Sequence, residues 1–336
     1  MSYFISVIIV NYKTPKLLLG CLRSIFGHQG DLPLEIIVVD NASGDNSREL
    51  IGDAYPSVKW IQMPYNAGFA RANNEGIRQS ASEIVLLLNS DTLNINNNIK
   101  DCAELFVRSE YVACGVQLLN EDGTPQISGN YFMKGGLNNL LPLPYVGPVL
   151  KGLGMLFSVK KPNIPDTNEP VEVDWINGAF LMVKKTAIDR VGLMDEDFFL
   201  YAEEAEWCSR LRKAGKLVIY GQYKIFHLQG ETANTAFKSS GRGYYNLYDR
   251  KGLQIMLSNF VRIRKQFGIG WFLFHLFAYS FIAPLAFAAS LFKIIFSFTW
   301  DKQEFSRMLG FLRNILTIWR YTPIILRGTP FFYKIL

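Results

Sequence analysis

Five short apolar runs rich in β-branched residues, Ile5–Val10, Ile36–Val39, Val58–Met63, Ile84–Leu88 and Val112–Leu119, lie in the first 120 residues, separated by stretches of helical length. A strand that is apolar on both faces must be covered on both faces, and crossovers of this length join parallel neighbours. The pattern therefore predicts an α/β fold: a Rossmann-like, mostly parallel sheet with helices on both faces. Thr14-Pro15, Asp45/Asn46 and Asn96/Asn97 stand where helices would start and are expected to cap them. Ligands in such sheets bind at the carboxyl ends of the strands. That rule selects Asn11-Tyr12, Asp40-Asn41-Ala42-Ser43, Asn66 to Ala70 and Asn89-Ser90-Asp91.

The residue types at those ends have definite chemistry. Asp40 closes a buried strand and is either a loop or helix cap or an acceptor for the imide N–H of a uracil or thymine ring. Asp91 puts a carboxylate where a hard divalent cation and a diphosphate could meet, since Mg²⁺ or Mn²⁺ takes few protein oxygens and completes its shell from phosphate and water. Asn66, Gly68, Phe69 and Arg71 open a helix, so free backbone N–H groups and a cation converge where an anion could sit. Further on, Glu206 and Arg210 are four apart and form a surface ion pair if helical. Glu204 instead heads the stripe Glu204, Cys208, Leu211, which aims a carboxylate inward at the first turn of a buried helix.

From Asn120 to Pro170 the text turns Gly-, Pro- and Asn-rich, read as a hairpin followed by a long mobile loop over the site. Order returns at Val173–Val183, then a helix over about Glu203–Ala214, a strand over Leu217–His227 and a helix through Tyr244, Tyr245 and Tyr248. The 336 residues divide on this reading into a domain over 1–240 and a helical, basic and apolar region over 241–336. Val261 to Leu336 holds ten Lys/Arg against two Asp/Glu, and Phe267 to Phe292 contains no charged side chain. Cations flanking a greasy segment point to a membrane surface, and to no nucleic acid. Arg262, Arg264 and Lys265 precede it and seven cations follow, so a simple crossing would break the positive-inside bias. A re-entrant hairpin bent at Pro284, or helices in the membrane plane, would keep both ends cytosolic. The alternative is an apolar helix pair packed on a homo-oligomer partner. The four cysteines, Cys21, Cys102, Cys114 and Cys208, have no short ligand spacing, and the amino terminus shows no basic leader, so a reduced compartment without a secretory signal is expected.

In order along the chain, Val10-Asn11-Tyr12, Val39-Asp40-Asn41-Ala42-Ser43, Asn66-x-Gly68-Phe69-Ala70 with Asn74 and Gly76, Leu88-Asn89-Ser90-Asp91, Trp175-x-Asn177-Gly178-Ala179-Phe180, Phe198-Phe199-x-Tyr201-x-Glu203-Glu204 and His227 resemble the family 2 glycosyltransferases of the GT-A fold, in particular bacterial rhamnosyltransferase-like members. The resemblance runs from about Ser6 to Lys251. It implies a nucleotide-sugar site over Asn11, Tyr12, Asp40, Asn41, Asn66, Gly68, Phe69, Arg71, Asn89, Ser90, Trp175, Asn177 and Gly178, with Asp40 on the base. It also implies Mg²⁺ or Mn²⁺ at Asp91 and His227, and Glu204 or its neighbour Glu203 as the base that activates the acceptor. Asn89 stands where the DxD-type motif has its first acid, and Glu203-Glu204-Ala205-Glu206 where Glu-Asp-x-Asp is commoner. No Gln-x-x-Arg-Trp motif of processive synthases is present. The implied activity is inverting transfer of one sugar, dTDP-rhamnose being the expected donor, to a lipid-linked glycan at the cytoplasmic face of a bacterial inner membrane. A UDP-hexose or UDP-N-acetylhexosamine donor, a nucleotidyltransferase and a non-catalytic sugar-nucleotide-binding scaffold are the alternatives.

Overall fold

The computed structural model describes residues 5–28, 30–157, 169–228, 237–239, 245–297 and 301–335. Its elements run β1 (Ile5–Asn11), α1 (Pro15–Gly27), β2 (Leu34–Asp40), α2 (Ser47–Ala54), β3 (Lys59–Gln62), α3 (Gly68–Arg78), β4 (Ile84–Asn89), β5 (Thr92–Asn94), α4 (Asn98–Arg108) and β6 (Ala113–Leu119). Next come β7 (Gly129–Asn130), α5 (Val146–Leu156), β8 (Pro170–Val173), β9 (Trp175–Ile176), β10 (Phe180–Lys184), α6 (Lys185–Val191), α7 (Glu203–Leu211) and β11 (Leu217–His227). Three long helices close the chain: α8 (Arg250–Phe267), α9 (Ile269–Ser297) and α10 (Lys302–Arg327).

A nine-stranded sheet runs β3-β2-β1-β4-β10-β6-β11-β5, with β8 also pairing β11. The first four strands are parallel; β10 is antiparallel to both its neighbours, and β6 and β11 are parallel again. The chain therefore leaves β1 toward β2 and later returns to its other side as β4, which makes a topological switch point above Asn11 and Asn89. Apolar spacing explains the covering layer: Leu18, Cys21, Leu22 and Ile25 of α1 recur at helical intervals and are all buried. Helix α3 lies close to β1 because Gly76 has no side chain; a Cβ there would fall 2.4 Å from Ile8 Cγ2.

Helices do start beside the expected caps, at Pro15, Ser47 and Asn98, but Thr14, Asn46 and Asn97 make no side-chain cap bond. At α2 the expected Asp45 does the capping, its Oδ1 accepting from Ser47 N at 3.0 Å, whereas Thr14 spends its hydroxyl on Asn11 Oδ1. The predicted loop over 120–170 is only partly a loop: 3₁₀ turns over Lys134–Leu140 and helix α5 occupy its middle, while 158–168 lie outside the described residues. The helix expected through Tyr244 to Tyr248 begins later, at Arg250, where Asp249 accepts from Gly252 N at 2.9 Å; 240–244 lie outside the described residues.

Two compact units emerge. The first comprises 1–131, 161–196 and 203–232, and the second 132–160, 197–202 and 233–336. In the second, α8, α9 and α10 share an aromatic core of Phe260, Phe272, Tyr279 and Phe311. Helix α9 continues through Pro284, so no hairpin reverses inside 269–292. Lys293 pairs with Glu304, and Trp319 Nε1 donates to Ser280 Oγ at 2.9 Å, which sets α9 and α10 antiparallel. One side of α9 is buried, and the other exposes Phe277, Phe281, Phe292, Ile295 and Phe296.

Candidate active site

The carboxyl ends of β1, β2 and β4 are joined by one polar network in the first unit. Asp40 ends β2 opposite Asn11 of β1 and is 3% exposed. Its Oδ1 accepts from Asn11 Nδ2 at 2.8 Å and from the Ser43 hydroxyl; its Oδ2 accepts from Ser43 N at 3.0 Å and Gln62 Nε2 at 2.7 Å. Four donors fill the acceptor capacity of a carboxylate. A base imide reaching Asp40 must therefore displace a donor, and Gln62 at the exposed end of β3 is the most accessible. Thr14 Oγ1 extends the network to Ser90 Oγ at 3.2 Å. Tyr12 lies half-buried at the same strand end, with the Lys13 ammonium 5.4 Å from its ring centre.

Asn41 ties this edge to the start of α3. Its Oδ1 accepts from Ala67 N at 2.8 Å, and its Nδ2 donates to Asn66 Oδ1 at 3.0 Å, which also accepts from Gly68 N at 3.1 Å. Two of the N–H groups expected to greet an anion are thus taken by Asn side chains. Gly68 has φ +80°, a left-handed conformation that favours glycine and lets the turn enter α3. Arg71 Nε donates to Glu196 O at 3.0 Å, fastening α3 to the 194–196 segment together with Asn74.

The carboxylates expected at α7 divide by their surroundings. Glu206 accepts from both Nε and Nη2 of Arg210, at 2.8 and 2.7 Å, so its charge is committed to a bidentate pair, one that is largely buried and not the surface pair the spacing predicts. Glu203 is 3% exposed, and among the described residues its Oε2 has no hydrogen-bond partner. Burial, and then the neighbouring Glu204 charge, push the Glu203 carboxyl well above the usual carboxylate range. Glu204, 7% exposed, lies beside the Asn177-Gly178 turn. A Cβ on Gly178 would sit 3.5 Å from Glu204 Cβ and 3.8 Å from Phe69. Gly178 thus stands within ordinary contact of both Glu204 and Phe69. Asn177 holds the turn, its Oδ1 accepting from Ala179 N at 2.9 Å and its Nδ2 donating to Ile127 O at 3.2 Å, and Trp175 of β9 is half-buried.

Asp91 and His227 are also brought together. His227 Nε2 lies 3.4 Å from Asp91 Oδ1 and 3.3 Å from Asn89 Nδ2, and Leu228 N donates to Asp91 O at 2.9 Å. A carboxylate oxygen and an imidazole nitrogen suit Mg²⁺ or Mn²⁺ when phosphate and water supply the remaining ligands. Among the described residues no group of three or more His, Cys, Asp or Glu side chains gathers to hold a metal alone. Gln62 and Gln126 belong to these networks but to no motif; position at a strand end is the sole signal for the first, and the sequence carries none for the second.

Comparison with known proteins places the fold and chemistry. Residues 6–163 match the family model described as glycosyl transferase family 2. The low-salt glycan biosynthesis hexosyltransferase of Haloferax volcanii is 29% identical over 255 residues, 73% of this chain and 74% of that protein. The N-acetylglucosaminyl-diphospho-decaprenol L-rhamnosyltransferase of Mycobacterium tuberculosis is 25% identical over 205 residues; the match takes in 56% of this chain and just under two thirds, 64%, of that protein. Among solved structures, the mannosyltransferase of Pyrobaculum calidifontis with GDP-Man and Mn²⁺ superposes with a TM-score of 0.51 at 14% identity, over 94% of this chain and 87% of that one, a likeness of fold alone.

Proposed function

We propose that this chain is a family 2 glycosyltransferase of the GT-A fold and that its reaction is transfer of one sugar, with inversion, from a nucleoside-diphosphate sugar to the hydroxyl of a lipid-linked glycan. The observation that carries the reading is the buried carboxylate of Glu204 on the first turn of α7, against the Asn177-Gly178 turn, with its neighbour Glu206 already committed to Arg210.

In this reading Glu204 accepts the proton of the acceptor hydroxyl while its oxygen attacks the anomeric carbon, and the diphosphate leaves with the electron pair of the broken C–O bond. Burial and the Glu204 charge push the Glu203 carboxyl well above the usual carboxylate range, which favours a single negative charge on the pair. Asp91 and His227 would hold Mg²⁺ or Mn²⁺, which when bound supplies positive charge to the departing diphosphate. Asn11, Asp40 and Ser43, with Gln62, form the rigid edge on which the base rests, and the Asn41–Asn66 clamp fixes the turn that presents Phe69.

The donor we favour is dTDP-rhamnose, supported by the rhamnosyltransferase relative and by the Trp175–Phe180 and Phe198–Tyr201 segments; a hexose donor is the second reading, favoured by the Haloferax relative. The second unit supports the acceptor and the location we favour. The apolar outer face of α9, with the cations of the tail, suits a cytosolic membrane surface, where a lipid-linked acceptor is presented. Offering the purified protein a panel of nucleotide sugars and measuring nucleotide release tests the proposal. Release from dTDP-rhamnose with a lipid-linked acceptor is the expected result; binding without turnover of any donor would leave a scaffold.

A further inference from the structure

Gln126 stands outside every motif, yet it is 5% exposed and its amide is fully used. Its main chain is anchored by Gln126 N donating to Leu118 O at 2.8 Å and by Gln117 Nε2 donating to Gln126 O at 2.9 Å. Its Nε2 faces three oxygens, His227 O at 2.6 Å, Asn120 Oδ1 at 2.9 Å and Leu119 O at 3.3 Å. Only an NH₂ group satisfies them, so the other amide atom is the oxygen. That oxygen lies 2.9 Å from His227 Nδ1. An amide oxygen has no proton to give, so Nδ1 carries the hydrogen. A neutral ring protonated at Nδ1 has a bare Nε2, and this nitrogen faces Asp91 Oδ1 and accepts from Asn89 Nδ2.

We infer that Gln126 is a positioning residue that fixes His227 in the Nδ1–H tautomer and so aims a nitrogen lone pair beside the Asp91 carboxylate, the donor pair a divalent cation takes. The tautomer follows from hydrogen-bond geometry alone; its purpose rests on the reading of Asp91 and His227 as cation ligands. Outer partners of this kind orient a ligating imidazole, and their loss typically costs about 10- to 100-fold in metal affinity. Asn89 acquires a role as well, as the donor to the same lone pair.

The chain has three histidines, His28, His227 and His275, so ¹⁵N-histidine labelling of the full-length protein gives a readable spectrum, and His227→Gln assigns the signal. At about pH 8 a protonated-type Nδ1 and a bare-type Nε2 are expected for His227. Gln126→Met, which keeps the bulk and removes the amide, should give mixed tautomers and weaken Mn²⁺ binding, followed by electron paramagnetic resonance, by about 10- to 100-fold. A protonated Nε2 in the wild type, or an unaltered tautomer in Gln126→Met, overturns the inference; should that variant fail to fold, the wild-type spectrum decides alone. If the tautomer is as expected but Mn²⁺ leaves the His227 signals unbroadened, the tautomer assignment stands and the cation reading of the site falls.

Discussion

Asp40→Asn is the sharpest probe of the strand-end network, because it removes a charge without changing volume. The new NH₂ group meets two donors whichever way it turns: Ser43 N and Gln62 Nε2 on one side, Asn11 Nδ2 and the Ser43 hydroxyl on the other. A hydroxyl can rotate to accept, whereas backbone and amide N–H groups cannot. The favoured orientation therefore keeps Ser43 N and Gln62 on the oxygen and gives up the Asn11 bond. A bond to a charged acceptor contributes about 1.5–3 kcal/mol and one between neutral groups about 1. One bond lost and two weakened come to about 3–5 kcal/mol, offset in part by the relieved burial of the charge. A net loss of about 2–4 kcal/mol should speed amide hydrogen exchange of β1 and β2 by about 30- to 900-fold, at tenfold per 1.4 kcal/mol. Exchange of those strands measured by mass spectrometry, with affinity for dTDP measured alongside, is the assay. Exchange within about threefold of wild type would refute the claim that the buried carboxylate organises this edge.

Glu203 makes stability depend on pH: its raised folded value means the folded state keeps a proton that an unfolded chain releases near 4.5. Stability should then fall as pH rises from there toward the folded value, by up to about 1.4 kcal/mol per unit, and Glu203→Gln should remove the slope; an equal stability difference between variant and wild type at acid and alkaline pH would contradict this. Gly76→Ala should destabilise by about 1–3 kcal/mol, because its Cβ meets the buried Ile8 side chain, and an unchanged melting temperature would show that α3 has slack. Phe277→Asp with Phe281→Asp alters two residues that are 70% and 59% exposed, so the fold should survive while flotation with phosphatidylglycerol vesicles drops at least about tenfold; unaltered flotation would remove α9 from the membrane contact.

The parallel half of the sheet was legible because β1, β2 and β4 each hold a continuous apolar run, and the strand-end rule then pointed to Asn11, Asp40, Asn66 and Asp91. Two kinds of feature were not. Gln62 and Gln126 act through side-chain amides whose partners lie 22 and 101 residues away, and no local pattern marks such pairings. Helix α5 does not show in the sequence because Gly147, Pro148, Gly152 and Gly154 depress helix propensity, and of its residues only Gly147 is buried. Pro284 invited a hairpin for the same reason, yet the packing of α9 on α8 and α10 carries the helix through it. The acidic triplet was visible as a triplet; the commitment of Glu206 to Arg210 and the burial of Glu203 and Glu204 emerged only from the geometry.

The account rests most heavily on Glu204, and single-turnover transfer by Glu204→Gln tests it directly. With the accepted donor and acceptor at saturation, the amide should lower the rate of transfer by at least about a hundredfold, the scale of a lost general base, while donor affinity stays within about threefold. A rate near that of the wild type, with the loss appearing in Glu203→Gln instead, would contradict the assignment and move the base one residue back along α7.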